Sequence, residues 1–251
     1  MQQSAPHPVP SAQTPCASSH SVGARPDVLQ RILDPGVNLG LWQRPAQRAI
    51  ARELAPLQAA HLPDVRCRTT SASFDDDLIH LLAQQGLDPA DFDNWRADLR
   101  RLADLYFGVS EGRDVTLRLV TTAEDDCRRF HVDRTNLRLL CTYRGPGTEW
   151  LPDTQVDHAA QASGAPNADI IRFGEPSRFA PFWVGILKGD AYPGNACSQP
   201  ASPPASHEPF SPDPRHRLTG QPRSPRRPGR AHRPRPVRPC LGDGPLQHPG
   251  Q

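Results

Sequence analysis

Residues 88–120 have the sequence DPADFDNWRADLRRLADLYFGVSEGRDVTLRLV. The fold depends on a change in the spacing of apolar residues within this stretch. Asp88 and Pro89 predict the start of a helix, because aspartate caps a helix and proline suits its first turn. Apolar residues then recur every three or four positions, at Phe92, Trp95, Leu99, Leu102 and Tyr106. This spacing predicts a helix with one face in the core. After Asp114 the spacing changes to two, which predicts a strand through Val115, Leu117 and Leu119.

Helices are predicted mainly before this change of period, and strands mainly after it. The other predicted helices cover residues 27–33, 45–60 and 71–85. The predicted strands cover residues 37–42, 65–69, 137–143, 149–151, 170–173 and 182–187. This order indicates an α+β fold, in which an N-terminal helical layer packs on an antiparallel sheet of the barrel or jelly-roll type.

Proline divides the chain into a globular body and a C-terminal tail. The 251 residues include 30 prolines, and 14 of them lie in residues 197–251. The tail has no apolar period, and proline at this density blocks helices and sheet ladders, so we predict that the tail is disordered. Residues 1–26 are rich in Ser, Ala, Pro and Gln and are predicted to be a disordered lead-in. The predicted single domain therefore covers residues 27–196.

Charge follows the same division. The net charge is +2, but the tail has nine arginines against three acidic residues, so the body is net negative. The body is therefore not expected to bind nucleic acid, whereas the basic tail is a candidate for RNA or an acidic surface. No apolar run is long enough for a membrane span, and residues 1–26 lack the apolar core of a secretory signal. We therefore expect a cytoplasmic protein without a membrane partner.

The chemically suggestive segment is CRRFHVD, residues 127–133. His131 and Asp133 are two positions apart, so on a strand their side chains share one face. An imidazole and a carboxylate so placed supply two of the three ligands of a facial triad for non-haem Fe(II). Three ligands on one face leave positions for a co-substrate and oxygen. A surface or capping role for the two residues is the alternative.

Three residues of the later strands are candidates for binding a carboxylate co-substrate or the substrate. Arg138 and Tyr143 belong to the predicted strand LRLLCTY, and Lys188 follows the strand at residues 182–187. Arginine binds carboxylates through two parallel hydrogen bonds, and lysine and tyrosine also donate to them. None of the six cysteines forms a C-x-x-C pair, so a zinc ribbon is not indicated.

Four segments of the body carry a resemblance to a known family. They are VNLGLWQR (37–44), FHVD (130–133), LRLLCTYRGPGTEWLPD (137–153) and ILKGDAYPGN (186–195). Together they resemble a bacterial family described as domain of unknown function 1826, over about residues 25–196. That family in turn resembles the prolyl-hydroxylase-like iron(II)/2-oxoglutarate oxygenases. The resemblance implies a double-stranded β-helix with Fe(II) and 2-oxoglutarate as cofactors.

The chain departs from this family after residue 195. Family members continue with a histidine, which would be the third metal ligand, and then with a final hydrophobic strand. Here a Ser/Pro-rich segment begins at Cys197, and Pro200 stands where the histidine would fall. This departure predicts a shift of the reading frame near Cys197, an incomplete metal site and an open sheet edge.

Three functional hypotheses follow. The first is an iron(II) oxygenase-like site at His131 and Asp133, incomplete in this chain, with a small-molecule or peptide substrate. The alternative is a non-catalytic metal-binding or zinc-homeostasis-associated protein, because zinc accepts nitrogen, oxygen and sulfur ligands, Cys127 among them. The third is a folded relic without activity.

Overall fold

The computed structural model describes residues 19–58, 61–110, 114–121 and 129–193, together with the backbone of residues 237–242. The strands within these ranges are β1 (His20–Gly23), β2 (Leu39–Trp42), β3 (Val65–Thr69), β4 (Val115–Thr121), β5 (Leu137–Cys141), β6 (Glu149–Trp150), β7 (Ser177–Arg178), β8 (Val184–Lys188) and β9 (Val237–Gly242). The helices are α1 (Arg48–Leu54), α2 (Phe74–Gln84), α3 (Asp93–Val109), α4 (His158–Ser163) and α5 (Asn167–Ile170). Short 3-10 helices cover Pro26–Leu33, Pro89–Phe92 and Asp153–Gln155.

Seven of these strands form one sheet in the order β1-β2-β8-β5-β9-β4-β3. Every pair in it is antiparallel except β1 with β2, which is parallel. Strands β6 and β7 form a separate antiparallel pair. The mixed α/β architecture with antiparallel sheets confirms the predicted fold class at that level. The finer prediction of a jelly-roll-like double-stranded β-helix stays a prediction.

Helix α3 packs as its sequence predicts, but it begins later. The side chain of Asp88 accepts a hydrogen bond from the backbone N–H of Ala90 at 2.9 Å and so caps the 3-10 helix Pro89–Phe92. Helix α3 follows at Asp93 without a side-chain cap of its own. The apolar positions of the predicted stripe are all buried: Phe92, Trp95, Leu99, Leu102 and Tyr106. They belong to a core cluster that also contains Leu117, Leu139 and Ile186 of the sheet. Burial of this stripe against the strands stabilises a helix that would be marginal alone.

A buried ion pair connects α3 to the strands. The Arg44 guanidinium donates to both carboxylate oxygens of Asp98, at 2.5 and 2.7 Å, and the side chains are 3% and 4% exposed. The Tyr143 hydroxyl donates to the same carboxylate at 2.5 Å, and Arg44 Nε donates to the carbonyl of Phe182 at 2.7 Å. Phe182 has a positive φ of 71°, a strained conformation for a large residue, next to this hydrogen bond.

Three elements differ from their sequence predictions. Strand β1 lies inside the predicted lead-in 1–26, because its backbone pairs with β2 although its composition is not strand-like. Residues 170–173 are not a strand, since α5 ends at Ile170 and only an isolated bridge joins Ile171 to Val156. Helix α1 is shorter than the predicted 45–60. The predicted lead-in before residue 19 lies outside the described residues.

The predicted tail also contributes a strand. β9 lies between β4 and β5, so residues 237–242 differ from the prediction of a disordered tail, and the predicted open edge is not present there. Backbone pairing requires no apolar alternation, which explains why the sequence pattern did not indicate this strand. The other residues of 197–251 lie outside the described part of the chain. Among the described helices, none is long and apolar enough to cross a membrane.

We expect Asp98→Ala to lower the free energy of unfolding by about 3–5 kcal/mol, because it leaves the Arg44 guanidinium buried and unpaired. Tyr143→Phe should cost only about 1–2 kcal/mol, since it removes one hydrogen bond. The matched control is Asp93→Ala on the same helix, whose ion pair with Arg96 is exposed and should contribute less than about 1 kcal/mol. Urea denaturation followed by circular dichroism measures all three. Equal losses for Asp98→Ala and Asp93→Ala would contradict the assigned role.

Candidate functional site

Residues 129–136 cross the protein without forming a strand, and their neighbours hold them in place. The backbone N–H of Phe130 donates to Asn167 Oδ1 at 2.9 Å, and the Arg129 side chain donates to the carbonyl of Gly164. Phe130 is buried in a small apolar cluster with Leu151, Val156 and Ile170. These contacts fix Arg129 and Phe130, which precede His131, against the α4–α5 region.

The far end of this segment packs against the chain that follows β8. The backbone N–H of Asp190 donates to the carbonyl of Asp133 at 3.0 Å, and that of Gly189 donates to Asn136 at 2.9 Å. Gly189 is required at this crossing, because a Cβ there would lie 2.5 Å from the Asp133 carbonyl oxygen and would overlap that of Thr135. The close approach of two backbones therefore positions Asp133.

Three of the predicted site residues meet at the Asp133 carboxylate. Its Oδ1 lies 2.7 Å from Arg138 Nη1 and 3.3 Å from His131 Nε2. The Asp133 side chain is 11% exposed, and its Oδ2 is buried without a hydrogen-bond partner among the described residues. His131 Nδ1 lies 3.0 Å from the carbonyl oxygen of Arg129. Since a carbonyl only accepts, Nδ1 is the donor there, which leaves Nε2 facing the carboxylate.

The electrostatics of this group follow from the same contacts. Burial raises the pKa of Asp133, but the hydrogen bond from His131 in its doubly protonated form and the charge of Arg138 outweigh it and lower the pKa to about 2. The carboxylate is therefore ionised over the physiological range. The Asp133 carboxylate has one oxygen, Oδ2, without a hydrogen-bond partner among the described residues, and an imidazole nitrogen lies 3.3 Å from its other oxygen, Oδ1. Such a pair is a donor set that suits a cation.

Tyr143 and Lys188 are not part of this group. Tyr143 is buried against Asp98, as described above, and Lys188 Nζ donates to the backbone carbonyl of Asp34 at 3.0 Å, 4.7 Å from the centre of the Tyr192 ring. The cause is strand alternation. Leu139 and Cys141 face the cluster shared with α3, whereas Arg138 lies on the opposite face. The register pairs Lys188 with Leu137, so Lys188 takes the helix-side face, away from Arg138.

A second histidine–carboxylate pair lies nearby in sequence. His158 Nε2 is 3.1 Å from Asp153 Oδ1, and His158 Nδ1 is buried without a hydrogen-bond partner among the described residues. No motif in the sequence predicts this pair. The residue that could have indicated the position of His158 is Asp157. Its side chain caps α4 by accepting a hydrogen bond from the N–H of Ala160, which places His158 in the first turn of that helix.

Residues 23–206 match the model of a family described as "Protein of unknown function (DUF1826)". The match covers well over half of the chain, so the protein belongs to this family, and the resemblance seen in the sequence is confirmed. No curated protein matches the chain.

Two solved structures are similar in outline. One is dioxygenase for auxin oxidation 1 from Arabidopsis thaliana in complex with 2-oxoglutarate, with a TM-score of 0.40, 10% identity and coverage of 81% of this chain and 74% of that one. The other is a prolyl-4-hydroxylase from Pseudomonas putida, with a TM-score of 0.32, 10% identity and coverage of 80% and 96%. Scores this low do not establish a shared fold, so the function is argued from the residues of this chain.

We expect Gly189→Ala to destabilise the protein by about 1–3 kcal/mol, because the added methyl group must push the backbone at Asp133 and Thr135 aside. Gly108→Ala is the matched control, since a Cβ at that position of α3 meets nothing within 4 Å. Alanine is the better helix former, so the control should be stabilised by up to about 1 kcal/mol. Thermal denaturation of both variants measures the difference. A stable Gly189→Ala variant would show that the crossing is looser than described.

Asp133 should also contribute to the acid sensitivity of the fold. Its pKa of about 2 in the folded state lies below the unfolded value of about 4, so its stabilisation is present above about pH 4 and is lost as the pH falls toward 2. The loss should be on the order of 2 kcal/mol. In Asp133→Asn the stability should therefore fall less steeply between pH 4 and pH 2. Urea denaturation across this range tests it, and parallel curves for the two proteins would contradict it.

Proposed function

We propose that the segment from His131 to Arg138 is an oxygenase-like site for a divalent metal, with His131 Nε2 and Asp133 as its two protein ligands. The observation that carries the proposal is the buried Oδ2 of Asp133, which has no hydrogen-bond partner among the described residues. A buried ionised oxygen without a partner is costly, and a metal ion would remove that cost. The proposal includes both the bound metal and the jelly-roll arrangement of the strands.

The neighbours of the two ligands support the same role. The carbonyl of Arg129 holds His131 Nδ1 at 3.0 Å, and a metal-binding histidine typically donates its second nitrogen in this way. Without a cation, a neutral His131 would direct the lone pair of Nε2 at a carboxylate oxygen 3.3 Å away. A metal ion or a proton relieves that repulsion. The anchors at Phe130 and Gly189 preserve the geometry.

Arg138 is the residue of this site that fits a carboxylate co-substrate such as 2-oxoglutarate. Its guanidinium lies 2.7 Å from Asp133, which places its charge beside the two proposed ligands, and its side chain is 24% exposed. Arginine binds carboxylates in a bidentate manner, which fixes orientation as well as charge. Bound Fe(II) with a 2-oxo acid would supply the oxidising chemistry of this enzyme class.

The described residues offer two ligands rather than three. They contain no group of three or more His, Cys, Asp or Glu side chains arranged to hold a metal ion. Facial-triad iron sites use three, so we propose weak metal binding and little or no turnover of 2-oxoglutarate by this chain. The zinc-binding alternative has the same two ligands and no oxygen chemistry, and the experiment below separates the two.

The test is anaerobic titration of the purified full chain with Fe(II), Co(II) and Zn(II), with 2-oxoglutarate present and absent. We expect His131→Ala and Asp133→Asn to weaken metal binding more than about tenfold. The matched control is His158→Ala, which removes the histidine of the other pair and should leave affinity within about twofold. Arg138→Gln should keep metal binding but abolish any gain in affinity from 2-oxoglutarate.

Two results would overturn the proposal. One is equal metal affinity in the parent chain and in His131→Ala, and the other is loss of affinity in His158→Ala alone. Tight zinc binding that 2-oxoglutarate does not affect, lost in both ligand variants, would replace the oxygenase-like proposal with the zinc-binding alternative. Circular dichroism of each variant checks that the fold is retained.

A further inference from the structure

Strand β3 is one of the two edges of the seven-stranded sheet. It pairs with β4 over five residues, Val65 to Thr69, and has no other neighbour among the described strands. In an antiparallel pair only alternate residues turn their N–H and C=O groups toward the partner strand, so the other residues of β3 turn these groups away from β4. None of the described residues outside β4 makes a backbone hydrogen bond to β3. This row of backbone groups is one on which a further strand can pair.

The two faces of β3 differ in chemistry. Val65 and Cys67 are partly buried and pack against the main core, and Thr69 is buried. Arg66 and Arg68 lie on the opposite face, with side chains that are 47% and 60% exposed. A strand added beside β3 would therefore place every second side chain opposite an arginine and the others beside the apolar face.

The arginines around this face outnumber the carboxylates. Arg66 lies opposite Arg118 of β4, and both guanidinium groups donate to Asp64, so one carboxylate serves two cations. Arg68 lies 3.4 Å from Asp114 in an exposed ion pair, and such pairs contribute little to stability. Three arginines and two aspartates leave this edge with a net positive charge.

This charge decides which strand the edge accepts. A second copy that paired antiparallel through its own β3 would bring arginines opposite arginines, and like charges directly opposite are destabilising. A strand with an acidic residue at every second position would instead place carboxylates opposite Arg66 and Arg68. The other edge of the sheet, β1, contains neither arginine nor lysine in its four residues, HSVG.

We propose that the edge of β3 binds an extended segment of a partner protein in which acidic residues alternate with apolar ones, and that this segment adds a strand to the sheet. Backbone hydrogen bonds supply affinity in such complexes, and the alternate side chains supply specificity. The arginines also act against other partners, because a basic strand would be repelled by them. This inference does not rest on the proposed metal site.

The test is fluorescence anisotropy with the purified full chain and two labelled peptides, one of four Val-Glu repeats and one of four Val-Lys repeats. We expect the Val-Glu peptide to bind at least about tenfold more tightly than the Val-Lys peptide. The double variant Arg66→Glu with Arg68→Glu should reverse this order. The matched control is Arg25→Glu with Arg52→Glu, which changes the net charge equally at exposed arginines outside β3. It should leave the affinity for the Val-Glu peptide within about twofold.

A second measurement separates strand addition from contact through charge alone. An added strand turns the N–H groups of alternate residues toward β3. Two further Val-Glu peptides carry N-methyl groups, one on its glutamates and the other on its valines. One of them should lose binding and the other should retain most of it. Contact through charge alone would be affected equally by the two modifications.

Each result decides the proposal. Reversed preference in the double variant, together with unequal effects of the two N-methylated peptides, supports it. Absence of binding by the Val-Glu peptide, equal binding in the parent chain and the double variant, or equal effects of N-methylation overturns it. An RNA oligonucleotide that binds more tightly than the Val-Glu peptide, and only to the parent chain, also overturns it. Circular dichroism checks the fold of the double variant, and Arg66→Gln with Arg68→Gln tests the same loss without reversed charge.

Discussion

The packing of the rest of the body depends on the buried ion pair of Arg44 with Asp98. A guanidinium and a carboxylate that are almost completely buried must satisfy one another, because neither has water to replace a lost partner. Their partners come from distant parts of the chain. Arg44 follows β2, Asp98 lies in the middle of α3, Tyr143 follows β5, and the carbonyl of Phe182 precedes β8. The need to pair all of these groups therefore fixes how the four segments pack together.

That arrangement also places the candidate site. Because α3, Cys141 and Tyr143 lie on one face of β5, the alternate residue Arg138 must lie on the other. Arg138 meets Asp133 there, and the backbone contacts of Gly189 and Asp190 bring the segment 133–136 beside it. The site thus depends on the core without sharing residues with it. Cys141 is a buried thiol of this packed core, and burial raises its pKa to about 12.

Local patterns in the sequence were sufficient to predict several of the helices and strands. Three features were predictable because each depends on neighbours a few positions away: the period of α3, the strand at residues 65–69 and the strand from Val115. The capping role of Asp88 was predictable too, although the helix that it caps is the 3-10 helix before α3. The prediction that a strand places His131 and Asp133 on one face was wrong, since residues 129–136 form no strand, and their 3.3 Å contact depends on tertiary packing. Strand β1 was not predictable in this way, since its pairing with β2 is a long-range backbone interaction.

The sequence by itself determined the α+β class, the family and the pair of candidate ligands, because these follow from short-range periodicity and from contiguous motifs. Only the tertiary structure decided that Arg138 meets Asp133 whereas Tyr143 and Lys188 contact other residues, because strand register decides which face of the sheet a side chain takes. It also decided that Asp98, an ordinary residue in a helical pattern, is the buried partner of Arg44. The tertiary structure likewise decided the place of β9 between β4 and β5. The hydrogen bonds that pair strands are made by the backbone, so the side chains do not indicate which strands are neighbours.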